Sequence, residues 1–462
     1  MVTDFYIRVR NFYSRFQEIK NMKISIIGGG ITGLSAAYYL SKEGFDVTVY
    51  ESSYFFGGQA STIKIDGYEV ERGYHHIFRN DYEIIDLINE LGLSKSLEWH
   101  KSSVGMYADQ SLYRFSTPID LLKYKPISLI NRIRLGFLSL YLQKKKDWKV
   151  YESISANDWI LKYAGKEIYN RVWGPLLRAK FGIYHKEIAM PWFWSKMKTR
   201  FASRNKKGDE ILGYLRYSFE ELINSLIYNI ERNGSKVKLN HKVTSIGHHD
   251  GVVENIEYVH DGIKEKIDTD LVICTAPSYE IKKLINFEKK YTEKLSAAKY
   301  LGASVFILSL KKQFSPYYWM NIIDNEIPFL GLIEHTNLVS KDRYGGNHIL
   351  YITNYLSHTD EIFQKNKDEL LDIYINSLIK INPKFNKKWI KKYYYNSVSA
   401  AQPVIPKNYS SLIPEIESPI VNLLIGNTTQ IYPEDRGTNY SVKIAGEIVS
   451  LIMKKKGETD EP

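Results

Sequence analysis

Apolar and polar positions change period several times along this chain, and each change marks an element. Ile24, Ile26 and Ile27 form a short β-branched run without alternation, the pattern of a parallel strand buried on both faces. Leu34, Ala37, Tyr38 and Ser41 then recur at helical spacing up to Gly44, a C-capping residue, and Val47–Tyr50 makes a second strand that stops at Glu51. Ile63–Val70 predicts a hairpin turned at Asp66-Gly67. From Asp81 to Asn233 the pattern is mostly helical, with Ile84, Leu87, Ile88 and Leu91 marking one helix closed by Gly92. At Ser235 it reverts to strands: Lys236–Leu239, Lys242–Ile246, a hairpin flanked by Asp250-Gly251 and Asp261-Gly262, and Asp270–Thr275. Strands over Ala303–Leu310, Phe329–Ile333 and His348–Tyr355 and a helix over Asp368–Ile381 follow. The strand Asn422–Ile425 leads to a last helix that begins at Thr438-Asn439, with Val442, Ala445, Ile448 and Val449 on its apolar face.

The turn between the first strand and helix carries chemistry. Gly28, Gly30 and Gly33 fit G-x-G-x-x-G: one glycine for the tight turn, one for close approach of a pyrophosphate, one for helix–strand packing. The N–H groups after Gly30, at Ile31 and Thr32, open a helix and favour an anion. Glu51 is spaced to accept hydrogen bonds from a ribose, with Ser52 beside it. A second glycine pair, Gly57-Gly58, follows in SSYFFGGQAST.

With that pair the chain resembles the FAD-dependent amine oxidase and protoporphyrinogen oxidase superfamily, to which carotenoid desaturases and UDP-galactopyranose mutase are related. The resemblance implies cofactor contacts along the whole chain. In the second glycine pair these are Gly57, Gly58, Gln59 and Ala60, with Gln59 where the family usually has a basic residue. In ERGYHH, Gly73, Tyr74 and His75 pass under the flavin ring with His76 close by, and Val243 lies on the adenine side. Thr275, Ala276 and Pro277 in DLVICTAP close over the cofactor, and Gly426, Asn427, Asp435, Thr438, Asn439 and Tyr440 meet the flavin at the last helix. Asn427 stands at the usual acidic position, with Asp435 as its replacement.

The implied fold is α/β (α+β overall): a Rossmann-like FAD-binding domain with an interleaved substrate domain of sheet plus helices. Residues 22–95, 235–285 and 420–453 form the first, residues 96–234 and 286–419 the second. Residues 1–21 are an amphipathic extension, and 454–462 a polar tail. The extension reads either as a docked helix, or as sequence upstream of a start at Met22, or as a surface anchor.

Composition narrows the partners. The charged fraction of 25% and hydrophobic fraction of 44% are those of a globular chain. The net charge of +11 comes without a nucleic-acid motif, so acidic ligands or an anionic membrane surface fit it better. The lone Cys274 excludes an intrachain disulfide, favours a cytoplasmic chain and, on a buried strand, argues for noncovalent FAD. Ile127–Leu142 is rich in apolar residues but broken by Arg132 and Arg134, short of the roughly 20 residues a span needs. It reads as an interfacial helix, peripheral on the inner membrane face, or as a buried helix of the substrate domain.

His75 and His76 are candidate acid–base groups; a structural pair is the alternative, and no third ligand supports a metal. Tyr169–Gly182 suits a cavity wall, with Arg178 and Lys180 holding an anionic group or simply solvated. Trp192, Phe193 and Trp194 add aromatic surface, and Arg200, Arg204, Lys206 and Lys207 read as a solvent-facing charge run. With no second dinucleotide motif, oxygen or a quinone suits reoxidation better than bound nicotinamide. The expected activity is FAD-dependent dehydrogenation of an apolar or amphipathic small molecule by hydride transfer. The alternatives are a mutase-like rearrangement of a nucleotide sugar and a non-catalytic flavoprotein.

Overall fold

β1 (Lys23–Ile27), α1 (Ile31–Lys42) and β2 (Asp46–Tyr50) form where the local pattern places them. The hairpin β3 (Thr62–Ile65) and β4 (Tyr68–Glu71) turns through Asp66 and Gly67, both at positive φ (52° and 90°), the geometry that matches strand twist. Next come α2 (Tyr82–Glu90), β5 (Val104–Ala108), β6 (Ser111–Arg114), α3 (Leu129–Lys144), α4 (Gly174–Phe181), α5 (Met190–Ala202) and α6 (Glu220–Arg232). β7 (Lys236–Lys238), β8 (Lys242–His249), β9 (Val252–His260), β10 (Ile263–Asp268) and β11 (Leu271–Cys274) follow. β12 (Lys299–Leu310), β13 (Trp319–Ile322), β14 (Gly331–Glu334), β15 (His348–Leu356), α7 (Lys367–Ile381), β16 (Ile390–Val404), β17 (Leu423–Ile425) and α8 (Thr438–Asp460) complete the principal elements. This computed structural model describes residues 22–357 and 359–460. The amphipathic stretch Met1–Asn21 lies outside the described residues.

Three returns of the chain build one parallel sheet in the order β7-β2-β1-β11-β17. Ile26 sits between Val49 and Ile273, so the central strand has apolar neighbours on both sides as well as on both faces. One face is covered by α1, against which α6 and α8 pack, and the other by the antiparallel sheet β8-β9-β10 through Ile27, Val243, Ile256 and Val272. This three-layer packing buries α1 almost all round, which accounts for its weak amphipathicity. α6, assigned by the sequence to the substrate region, packs on α1 in this layer.

The second sheet has the order β16-β12-β15-β14-β13-β5-β6, antiparallel except for the parallel pair β13–β5. Between the irregularities at Leu301/Ala303 and Ser309/Leu310, side chains of β12 alternate between the two faces of the sheet. Phe306, Leu308, Leu350 and Ile352 meet Leu370, Tyr374 and Leu378 of α7 on the outer face. Ala303 and Val305 of β12, with Thr353 and Tyr355 of β15, face an interior cavity.

The region read as mostly helical contributes β5 and β6 to this sheet, and two further strands, Leu97–Lys101 and Ile211–Leu215, pair with each other. β5 is buried throughout and shows no alternation, and its partner β13 lies far along the chain. No local periodicity could report that pairing. Among the described residues no helix is long and apolar enough to cross a membrane.

Candidate functional site

Two glycine turns face each other at the carboxyl ends of β1 and β2. Gly57 donates its N–H to Gly29 O (2.8 Å) and bridges to Gly30, while Gly57 and Gly58 both hold positive φ. A Cβ on Gly33 would lie 2.0 Å from Gly28 O, and one on Gly28 2.5 Å from Thr275 Oγ1, so these two glycines are required by packing. Gly30 is different. Its φ of −76° suits any residue, and the nearest atom to an added Cβ is Gly58 Cα at 3.9 Å.

Between the two turns there is therefore a backbone-lined cradle that a side chain would fill. The first-turn N–H groups of α1, at Ile31 and Thr32, have no intrahelical acceptor and would hold a pyrophosphate there. Glu51 lies at the far end, its carboxylate accepting from Gly29 N (2.7 Å) and from Ser53 N and Oγ (2.8 and 2.7 Å), with Ser52 Oγ at 3.3 Å. These residues fit a dinucleotide: Glu51 Oε1 is filled by the three serine donors, while Oε2, which accepts only from Gly29 N, keeps a lone pair for a ribose hydroxyl.

The second part of the site is a cavity of about 680 Å³ between the inner face of the second sheet, helices α3, α4 and α5, and the start of α8. Gln59, Gly73, Tyr74, His75 and His76 line it from the dinucleotide side, and Asp435 through Tyr440 from the entrance to α8. The turn Arg72–His76 is anchored by the residue before it. Glu71 is fully buried, accepts from Tyr214 Oη (2.8 Å) and Phe219 N (3.0 Å), and burial raises its pKa to about 7.

His75 Nδ1 is 2.7 Å from Gly73 O, so that nitrogen carries the proton and Nε2 is left as an acceptor. His76 Nδ1 is 3.1 Å from Tyr318 Oη. Burial lowers the two pKa values to about 4 and about 3, His76 further through Lys196 and Arg200, and both rings are neutral at physiological pH.

Beside them Asp435 accepts from Lys180 Nζ and Lys196 Nζ, both at 2.8 Å, and from Trp192 Nε1 at 3.1 Å. Burial disfavours this carboxylate, but the two ammonium groups outweigh it and hold its pKa well below the usual carboxylate range. Arg436 donates to Tyr355 Oη (2.9 Å), Gln402 Oε1 (3.0 Å) and Gln59 Oε1 (3.1 Å). Burial pushes the Tyr355 phenol up, yet Arg436 and Lys180 reverse the effect and leave it below its ordinary value.

The residues singled out in the sequence separate into groups. Gly73, Tyr74, His75, His76, Lys180, Asp435, Thr438, Asn439 and Tyr440 come together at the cavity, and Gln59 joins them from the second glycine pair. Arg178 is not among the lining residues; its charge acts on Tyr169 and His185.

Several of the others have local structural partners. Thr275 Oγ1 donates to Ile27 O beneath Gly28, Ala276 O accepts from Asn427 Nδ2, Pro277 precedes the helix Ser278–Leu284, and Gly426 gives room to Ile444 and Ile448 of α8. Val243 is buried on β8, Ala60 is buried beside the second glycine pair, and Asn439 Oδ1 caps Ile84 of α2.

Two readings are corrected. Trp192, Phe193 and Trp194 are buried rather than surface residues, and Arg200 and Arg204 line the cavity rather than facing solvent. α5 presents positions 196 and 200 on one side, and Arg204 follows just past the helix end, in a β-bridge with Glu210. Lys196, Arg200, Tyr355 and Arg436 were missed. Only the four-residue spacing along α5 could have signalled the first two.

Comparison with known proteins agrees with this geometry. A family model described as flavin containing amine oxidoreductase matches residues 31–424. Mitochondrial protoporphyrinogen oxidase of Nicotiana tabacum is 26% identical over 42% of this chain, which spans only 39% of that protein's length. 15-cis-Phytoene desaturase of Capsicum annuum is 23% identical over 81% of this chain and 67% of its own. The structure of cyclohexylamine oxidase from Brevibacterium oxydans superposes with a TM-score of 0.70, covering 94% of this chain and 99% of its own at 13% identity.

Proposed function

This chain belongs to the flavin containing amine oxidoreductases, with FAD as cofactor, and from that premise we propose that it dehydrogenates an apolar or amphipathic small molecule. The observation that carries the reading is the shared wall of the cavity. The same enclosed space is bordered by the second glycine pair, the turn Gly73–His76, the entrance to α8 and an apolar sheet face. Bound FAD supplies the two-electron acceptor.

The chain's own residues do the rest. Val305, Val172, Leu177 and Trp319 exclude water from the reacting carbon, and Tyr74 stands edge-on to Trp319 at 4.9 Å to fix that floor. His75 lines the cavity as a neutral ring, with Nδ1 committed to Gly73 O and Nε2 left as an acceptor. Burial, which disfavours its protonated form, makes it a group that orients a substrate donor rather than one that stores the released proton. Lys180 and Lys196, clamped on Asp435, fix the polar end of the wall.

The test is anaerobic. Oxidised, flavin-loaded protein mixed without air with protoporphyrinogen, phytoene or cyclohexylamine, and with any ligand found to co-purify, loses its yellow colour with one of them within a turnover. Acceptor is then consumed in proportion to product. If the colour persists with all of them, and a nucleotide sugar turns over only after prior reduction and without consuming acceptor, the mutase-like alternative replaces this reading.

A membrane surface belongs to the same proposal. Leu129, Ile130, Ile133, Phe137, Leu140 and Tyr141 of α3 are exposed, Ile130 at 80% and Phe137 at 70%, while only Leu135 and Leu142 of the helix are buried. Arg132, Arg134 and Lys144 to Lys146 flank this face, and Leu135, Gly136, Ser139 and Gln143 of the same helix line the cavity. An anionic leaflet, the inner face of the membrane, is the occupant whose charge and apolarity match both features. Phosphatidylserine vesicles are expected to sediment the protein at low salt and release it at high salt. The double change Ile130→Asp and Phe137→Asp weakens binding at least roughly tenfold. Equal recovery in the supernatant with and without vesicles would remove this surface.

A further inference from the structure

The cavity holds five cations, Lys180, Lys196, Arg200, Arg204 and Arg436, against three carboxylates, Asp81, Glu210 and Asp435. Four of the cations are committed. Lys180 and Lys196 share Asp435. Arg204 gives Nη1 to Ser116 O and Gly208 O (2.6 and 2.7 Å), and Arg436 is spent on Gln59, Gln402 and Tyr355.

Arg200 is the exception. Among the described residues no carboxylate lies within ion-pair distance of it and no acceptor takes its N–H groups; the Trp319 ring lies 5.9 Å from its guanidinium carbon. Glu210 and Asp81 line the same space without reaching it. Lys196, one turn earlier on α5, and Arg204, just past the helix end, add like charge. The last turn of α5 favours a cation there but offers the planar fork of donors no bidentate partner.

We propose that Arg200 is the anchor for an oxyanion, carboxylate or phosphate, carried by the apolar substrate. Resting on the dehydrogenase reading, this makes the substrate an amphiphile whose anionic end lies at Arg200 over Trp319. Its apolar body lies along Phe193, Met197, Leu330 and Val305 towards Gly73–His76. The sequence pointed to Arg178 or Lys180 for this task; the first does not line the cavity and the second is already neutralised by Asp435.

Isothermal titration calorimetry of oxidised, flavin-loaded protein with decanoate, decyl phosphate, decanol and decylamine tests the assignment without turnover, so its outcome is independent of whether the flavin is ever reduced. The two anions bind at least about tenfold more tightly than decanol, and decylamine binds most weakly. Arg200→Gln abolishes the preference for the anions while leaving decanol binding and flavin content unchanged, and Arg200→Lys restores part of it. The weaker of decanoate and decyl phosphate identifies which oxyanion geometry the site disfavours. Equal affinity for decanoate and decanol, tighter binding of decylamine, an unaltered preference in Arg200→Gln, or no binding of any of the four overturns the proposal.

Discussion

Gly30→Val is expected to yield a folded protein that is colourless. Its φ of −76° tolerates a side chain, and the first added carbon meets nothing closer than 3.9 Å, so the fold loses little. The branched methyl groups then occupy the space between Gly30 and Gly58 where a pyrophosphate would approach the first turn of α1. The expected loss in FAD affinity is at least about 1,000-fold, or about 4 kcal/mol. Gly33→Val is the control, because its Cβ would sit 2.0 Å from Gly28 O and it disrupts the β1–α1 packing itself. Quantitation of FAD released on denaturation, with circular dichroism of each variant, separates the two effects. In the unaltered protein all of the dye is released, as noncovalent binding requires. A Gly30→Val protein that purifies with full FAD content would show that the cradle is not where the phosphates lie.

Asp435→Asn carries the largest expected cost in stability. One carboxylate, 11% exposed, serves two ammonium groups that are 20% and 27% exposed, so its loss leaves two half-desolvated like charges sharing one corner of the cavity. Breaking a pair of this kind costs about 3 kcal/mol. Lys180→Met or Lys196→Met costs less, since the remaining lysine keeps the carboxylate paired, and replacing all three residues with apolar ones recovers most of the loss.

The pH dependence has a defined sign. Because the folded pKa of Asp435 is depressed, its contribution is fully present above the unfolded value of about 4 and is lost as pH falls below it. The gap between the unaltered protein and Asp435→Asn is therefore flat around neutrality and narrows only in acid. Urea titration of the flavin-loaded proteins measures it. A gap at neutral pH smaller than about 1 kcal/mol would mean the three groups are screened as surface pairs are.

Much of the dinucleotide part was legible because its signals are local. The run Ile24–Ile27, the glycines after it and the helical spacing to Gly44 each specify backbone conformation within a few residues, and the structure reproduces them in register. The turn Asp66-Gly67 was equally readable, since only residues tolerant of positive φ serve there.

The cavity was partly legible. His75, His76 and Lys180 were named from the resemblance and from side-chain type, and they do line it. Gln59 looked like a loss of positive charge beside the cofactor. The structure returns that charge from Arg436, whose guanidinium meets the Gln59 side chain from the far end of the chain.

By itself the sequence determined the strand–turn–helix that opens the fold, the glycine turn between its strand and helix, and the existence of strands over β12 and β15, whose apolar runs did not say which side chains would meet α7 and which the cavity. Only the tertiary structure decided that β5 would join β13, that Asp435 would neutralise Lys180 and Lys196, and that Arg200 would find no acceptor among the described residues. The physical reason is one of range. Backbone geometry and burial period act over a few residues and leave a trace in composition, whereas strand pairing and ion pairing depend on which groups the folded chain brings within hydrogen-bond distance, and a charged residue in sequence looks the same whether water or a carboxylate awaits it.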